Sequence, residues 1–311
     1  RKGSSEMTDH KDSIGMAAIG WVLLACVALG SGYVGSLMVW MALAAALAAS
    51  LRFVLLIGEL NFASAAFYGL GAYCTGTIAN TADWPFAATL ALSSLLALAV
   101  SIVFGGITLK VKGPYFLLIG FAFTEAMRIL YTRTEALGGN SGLVGIFPPA
   151  WLDPYYQYFA TALCFALILG MLAIERSHLG KIFVAIRDNE NVVRSVGNRV
   201  FLAKVACFAI ASAVAGLVGS LHAYANNVIS PLDFGFMLST FALAYLKVGG
   251  EDSPLGPVIG AVLLVGIASW AQSMGGSEHI LYGLAIVLSV LFMPKGLMGL
   301  LERLRAGRGG R

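Results

Sequence analysis

Four charged residues stand inside stretches that are otherwise apolar: Arg52, Glu59, Glu125 and Arg128. A charge in hydrocarbon is costly, so such residues mark either a polar path for a solute or ion, or ion pairs that neutralise themselves. Glu125 and Arg128 lie three residues apart, a spacing that puts both on one helix face and lets them pair. Arg52 and Glu59 are two turns apart, and each needs a partner from another helix, although an arginine can also reach the membrane interface along its own stem. Glu59 and Glu125 fit both readings, path and pairing. Little else could do chemistry. The sequence holds no GxxxxGK[ST] phosphate loop, no HExxH, no CxxC and no GxSxG elbow. His222 and His279 would be the only bases available to an intramembrane transferase. Cys26, Cys74, Cys164 and Cys207 sit singly in apolar segments and read as small buried hydrophobes. No catalytic residue, metal ligand or resident cofactor is assigned to this chain.

The elements that position these residues follow from composition. The chain has 311 residues, 59% hydrophobic and 12% charged, against about 25% charged in a soluble domain. It cannot cover a soluble surface. Long apolar runs without period-two alternation point to membrane helices rather than a barrel. The net charge of +4 is modest, and the basic residues gather in loops and at the C-terminus, which is the positive-inside pattern and not a nucleic-acid footprint. With about 20 residues per span, ten spans are expected: 14–33, 34–57, 60–81, a fourth ending near Leu109, 115–131, 155–174, 202–222, 234–248, 255–274 and 280–293. Whether the third and eighth cross fully stays open. This count puts Lys110, Lys112, the 175–204 loop, Lys247 and the basic tail on one side, so both termini are expected in the cytoplasm. Residues 1–13 read as a tail whose residues ahead of Met7 are foreign, 14–294 as one membrane domain, and 295–311 as a basic cytoplasmic tail.

The longest polar interruption is Ser177–Gly197. From Glu175 to Lys204 six basic residues (Arg176, Lys181, Arg187, Arg194, Arg199, Lys204) face three acidic ones. Asp188 reads as a helix N-cap, Glu190 suits the first turn, and Gly197 is a natural stop. Val192, Val193 and Val196 share one face at helical spacing. A helix of about two turns is expected, with an apolar face that its own hairpin cannot bury. It is either a solvated loop or a surface on which a partner docks. On the opposite side lie two turn-rich loops, LGGNSGL at Leu137–Leu143 and NNVISPLDF at Asn226–Phe234. They would meet a solute first, or only connect helices. Small residues (Gly69, Gly71 and Gly76; Ala215 with Gly219; Gly216 with Ser220; Gly256 with Gly260) allow close helix approach.

Four ordered blocks carry a family resemblance over roughly Val34 to Leu301. GELNFASAAFYGLGAY (Gly58–Tyr73) is similar to GQLSLGHAAFFGIGAY. GPYFLLIGFAFTEAMR (Gly113–Arg128) resembles GxYFAIxTLAFxEIxR and leads to LGGNSGL where the family has TGGSNGL. Ser177–Gly197 resembles SxxGRAxxAIRDNExAAxxxG, and GGEDSPLGPVIGA with FMPKGLMG resembles the family's ending. The family is the LivM-type permease subunits of branched-chain amino acid ABC importers. The resemblance implies an all-α fold of about ten helices, type II-like, in a bacterial inner membrane. It implies a homologous permease partner, two ATP-binding subunits holding ATP and Mg, and a periplasmic substrate-binding protein. It places Asp188, Asn189, Glu190, Val192, Val193, Arg194 and Gly197 in the segment that couples to the ATPases. A path through spans three, five and eight would be lined by Glu59, Asn61, Ser64, Tyr68, Thr124 and Glu125. Glu59, Asn61 and Ser64 depart from the family's Gln, Ser and His, the Asn140-Ser141 order is reversed, and Glu251-Asp252 adds two acids to a turn that is usually apolar. These departures bear on the substrate: a branched-chain or related hydrophobic amino acid, or else urea, an amide, or an aromatic or aliphatic carboxylate. A rival class is an ATP-independent transporter or channel using Glu59 and Glu125 as ion sites.

Overall fold

The computed structural model describes residues 32–81, 84–111 and 113–273, with 283, 284, 287 and 296–299. Most of the first expected span, the tenth, Lys112, Cys26, His279 and the tail beyond 299 lie outside the described residues. The rest is mostly helical: α1 (Gly32–Leu55), α2 (Ser64–Thr81), α3 (Phe86–Thr108), α4 (Pro114–Arg133), α5 (Tyr156–Arg176), α6 (His178–Asp188), α7 (Glu190–Ser195), α8 (Val200–Asn226), α9 (Phe236–Gly249) and α10 (Gly256–Ser273). Two short strands, β1 (Leu143–Val144) and β2 (Val228–Ile229), pair antiparallel. Local signals explain the boundaries. Pro114 takes the first position of α4, where its missing N–H costs nothing. Gly58, at φ 81°, turns the chain after α1.

Five helices are long and apolar enough to cross a membrane: α1, α3, α4, the stretch Asp153–Arg176 that includes α5, and α8. The helices at the third and eighth expected spans, α2 and α9, are not among them; α9 is apolar but only 14 residues long. On α3 and α4 many large apolar residues face outward, among them Leu95, Val103, Ile107, Leu118 and Ile129. Such a surface suits lipid tails or another apolar helix.

The chain forms two compact units. The first takes the described residues up to 49, 157–169 and those from 241 onward. Here glycines bring backbones together: a Cβ on Gly260 would collide with the Tyr245 carbonyl, and one on Gly256 with that of Gly250. Lys247 pairs with Glu251, so that acid of the turn finds a cation four residues away. Tyr33 hydroxyl and Ser269 Oγ lie 2.6 Å apart.

The second unit takes 50–156 and 170–240. Its centre is α8, packed on α2 and α3. A Cβ on Gly71 would strike the Gly216 carbonyl, and one on Gly219 the carbonyl of Tyr68, so α2 and α8 touch backbone to backbone. In lipid this contact is driven by dispersion and hydrogen bonds rather than by water. Polar groups supply the second part: Thr75 Oγ1 bonds Ser93 Oγ at 2.8 Å and also reaches Ser220 Oγ, joining α2, α3 and α8. Ser94 Oγ donates to Ala213 O at 3.1 Å. Rings of Phe67, Phe104, Phe116, Phe123 and Phe208 fill the space among α2, α3, α4 and α8, with centroids 4.3 to 6.2 Å apart.

Candidate functional site

The polar segment 177–197 folds as two helices, not one. Leu179, Ile182, Phe183 and Ile186 recur at three- and four-residue spacing, and α6 buries Phe183 and Ile186. Because α6 continues through Asp188, that residue closes a helix and cannot start the next. Asn189 is the cap of α7: its Oδ1 accepts from the N–H groups of Asn191 at 3.1 Å and Val192 at 3.3 Å. Glu190 occupies the first turn, and Gly197 follows the helix at φ 87°. The valines do not share a fate. Val193 is buried with Ile186 and Val200, whereas Val192 and Val196 are 58% and 75% exposed. Glu190 is drawn inward as well. Its carboxylate accepts from Arg194 at 3.1 Å and from Lys204 Nζ at 3.2 Å. Lys204 is buried at the base of α8, so it belongs to an internal ion pair and not to the basic surface. The segment thus has a pinned inner face and an outer face that presents Asn191, Val192, Arg194 and Val196.

The segment rests on the rest of the second unit. Arg52, in the last turn of α1, binds Glu175 through both terminal nitrogens, at 2.7 and 2.9 Å. This bidentate pair joins the ends of α1 and α5 just ahead of α6. A Cβ on Gly58 would come 3.3 Å from Arg187 Cγ, so α6 packs against the turn that follows α1.

The candidate path residues divide into two levels. Glu59 is 4% exposed and accepts from the Gly113 N–H at 3.0 Å, at the start of α4. Glu125 lies about 17 Å further along that helix, at 1.5 Å per residue. It binds Arg128 Nε at 2.7 Å and accepts from the Phe236 N–H at 3.0 Å, capping α9. Around the same level Phe62 O accepts from Thr124 Oγ1 at 2.9 Å and from Ser239 Oγ at 2.8 Å. Asn61 Oδ1 accepts from the Ala63 N–H at 3.0 Å, and the Ser64 and Ser239 hydroxyls lie 3.3 Å apart. Hence Asn61, Ser64, Thr124 and Glu125 meet where the starts of α2 and α9 cross α4. Tyr68 is one turn beyond Ser64, its ring 5.3 Å from His222 and 6.0 Å from Phe234. His222 is buried beside Asn226, Nε2 to Nδ2 2.9 Å.

Two features had no sequence signal strong enough to find. The two turn-rich loops are one structure: Leu143 pairs with Ile229 and Val144 with Val228, and Asn227 O accepts from the Ile146 N–H at 3.1 Å. Beneath them Ser230 and Asp233 form a capping box, Ser230 N–H donating to Asp233 at 2.9 Å. Burial pushes the Asp233 carboxyl above its ordinary range, against the opposing pull of that N–H. The second feature is a buried tyrosine pair, Tyr73 on α2 and Tyr131 on α4, stacked with centroids 4.1 Å apart.

Residues 33–293 match the model of a family described as the branched-chain amino acid transport system / permease component. The chain is 27% identical over 274 residues to the high-affinity branched-chain amino acid transport system permease protein LivM of Escherichia coli, covering 78% of this chain and 64% of that protein. The LivM protein of Salmonella typhimurium is 28% identical with the same coverage. A probable branched-chain amino acid transport permease LivM of Methanocaldococcus jannaschii is 24% identical over 228 residues, 67% of this chain and 66% of that one. The chain therefore spans a little under two thirds of the length of the first two relatives. No solved structure matches it. The family match covers 33–293 and thus both compact units, and it agrees with the four sequence blocks and with the membrane-length helices: this chain is a multi-pass membrane protein of the LivM-type branched-chain amino acid transport permease family.

Proposed function

We propose that the chain is the membrane-spanning permease subunit of an ATP-driven ABC importer in a bacterial inner membrane. It has a type II-like fold of about ten helices, with both termini in the cytoplasm. It pairs with a homologous permease, two ATPase subunits supply ATP and Mg chemistry from the cytoplasmic side, and a periplasmic binding protein delivers the substrate. That substrate is a branched-chain or related hydrophobic amino acid, in keeping with the names of the relatives. The chain itself does no covalent chemistry. It is one membrane domain between its two tails, and Asn61, Ser64, Tyr68, Thr124 and Glu125 line the route, with Glu59 at its inner end.

The observation that carries this reading is the split of α7 into a pinned face and an open face. Glu190 and Val193 hold α7 to α6 and α8, while Val192, Arg194 and Val196 stand outward. A solvated loop has no need of two exposed valines, one on α7 and one just after it, on a segment so firmly held. A partner seated there moves α8 through the Glu190–Lys204 pair, and α8 is the helix on which α2 and α3 pack. The test belongs at the exposed positions, since a change at Glu190 or Val193 also disturbs buried contacts. In the complex reconstituted in liposomes, Val192→Asp and Val196→Asp should abolish leucine import and the stimulation of ATP hydrolysis by the loaded binding protein. Import at the wild-type rate in both variants would refute the docking assignment. A panel of binding proteins loaded with leucine, urea, an amide or an aromatic acid then identifies the substrate.

A further inference from the structure

Tyr73 and Tyr131 are 3% and 2% exposed, and their rings stack at 17° between planes. Neither hydroxyl has a hydrogen-bond partner among the described residues. Buried hydroxyls nearly always have one. Two phenylalanines would stack in the same way without leaving two donors unsatisfied, so ring packing alone does not account for tyrosine at both positions. The pair is not isolated. The Phe234 ring meets Tyr73 edge-on at 5.7 Å, and Tyr68 and His222 lie 6.0 and 5.8 Å from Phe234. Gly69 makes this packing possible, because a Cβ there would come 2.9 Å from Phe234 Cβ and 3.2 Å from Tyr131 Cε2. The cluster lies directly along the helices from the polar residues already described. Tyr73 is about 14 Å beyond Ser64 on α2, and Tyr131 about 10 Å beyond Thr124 on α4, at the helical rise. It therefore sits between those residues and the paired loops.

We propose that Tyr73 and Tyr131 are specificity-determining residues that contact the substrate at an aromatic constriction beneath the paired loops. When the stack parts, the two hydroxyls bind the polar head of a small zwitterion with no net charge, an apolar amino acid, and the rings of Phe234 and Tyr68 cover its side chain. Neutral hydroxyls suit such a solute, because they can donate to its carboxylate and accept from its ammonium group. This deepens the importer reading and rests on it.

The test uses the full complex in liposomes with leucine-loaded binding protein, reading leucine imported, ATP hydrolysed and the melting temperature of the purified complex. Tyr73→Phe and Tyr131→Phe keep the ring stack. Each should raise the ATP hydrolysed per leucine imported about tenfold, the factor expected for one lost hydrogen bond to a charged head group. The melting temperature should hold or rise, because an unsatisfied hydroxyl has gone. Variants with the wild-type ATP-to-leucine ratio, whatever their melting temperature, would overturn the assignment and leave the importer reading intact. A wild-type complex that imports no leucine and whose ATPase ignores the loaded binding protein would overturn both.

Discussion

Lys204 shows how a residue's position in the fold replaces its role in the sequence. Counted along the chain it is one more basic residue of a cytoplasmic loop; in the fold it is a buried cation whose charge is met by Glu190. Removing Glu190 takes away the carboxylate that meets the buried Lys204 charge. Glu190→Ala should therefore cost about 3 kcal/mol of stability, read by denaturant unfolding in detergent. The double variant Glu190→Gln with Lys204→Met should recover most of that loss. The Glu125–Arg128 pair was legible, because three-residue spacing on a helix leaves few other geometries. The cap of α7 was not. Asp188 and Asn189 can both cap, and only the continuation of α6 through Asp188 decides between them. Arg52 also needed the fold: its partner, Glu175, lies 123 residues away.

Among the elements, α2 and α8 are held by the absence of side chains. Gly71→Ala should destabilise the protein by about 1–3 kcal/mol through overpacking, because the added methyl meets the Gly216 backbone. Gly106→Ala, with nothing within 4 Å, should be neutral or slightly stabilising in the same unfolding measurement. The loop carrying Asp233 makes a prediction in pH. Its folded-state carboxyl is raised by burial, so protonation favours the folded loop. The stabilisation is full below the unfolded value and is lost as pH rises through the folded one. Melting temperature should fall as pH rises above the ordinary carboxylate value of about 4, and Asp233→Asn should flatten that dependence. Small residues in α2 and α8 announced close packing in the sequence, although not which backbone each would meet. The helix α6 was not foreseen, because the polar residues threaded through it masked its apolar spacing. The ladder between β1 and β2 left no trace, since two-residue strands are too short to show alternation.

For the whole molecule, composition alone fixed the class, and the second to ninth expected spans each coincide with a helix among the described residues. The division into two compact units was not legible, because α1, α5 and α9 each contribute to both. The sidedness inferred from the basic residues is testable by cysteine labelling. On a background without reactive thiols, Val196→Cys should react with an impermeant maleimide only from the cytoplasmic face. Trp151→Cys, also well exposed, should react only from the other. Labelling of both from one side would overturn the proposed topology.

The ladder also bears on which lengths of chain this fold tolerates. Its two strands come from loops more than 80 residues apart in sequence and are held in register by two residue pairs. Gly142 and Asn227, both at positive φ, turn the chain into and around it, and a side chain on Gly142 would collide with the Ile229 carbonyl. One residue added between Gly142 and Ile146, or between Asn227 and Ile229, turns every following side chain to the wrong face. The stretch from Phe147 to Trp151, with no pairing partner in the ladder, is instead where this surface can lengthen, shorten or accept a peptide tag.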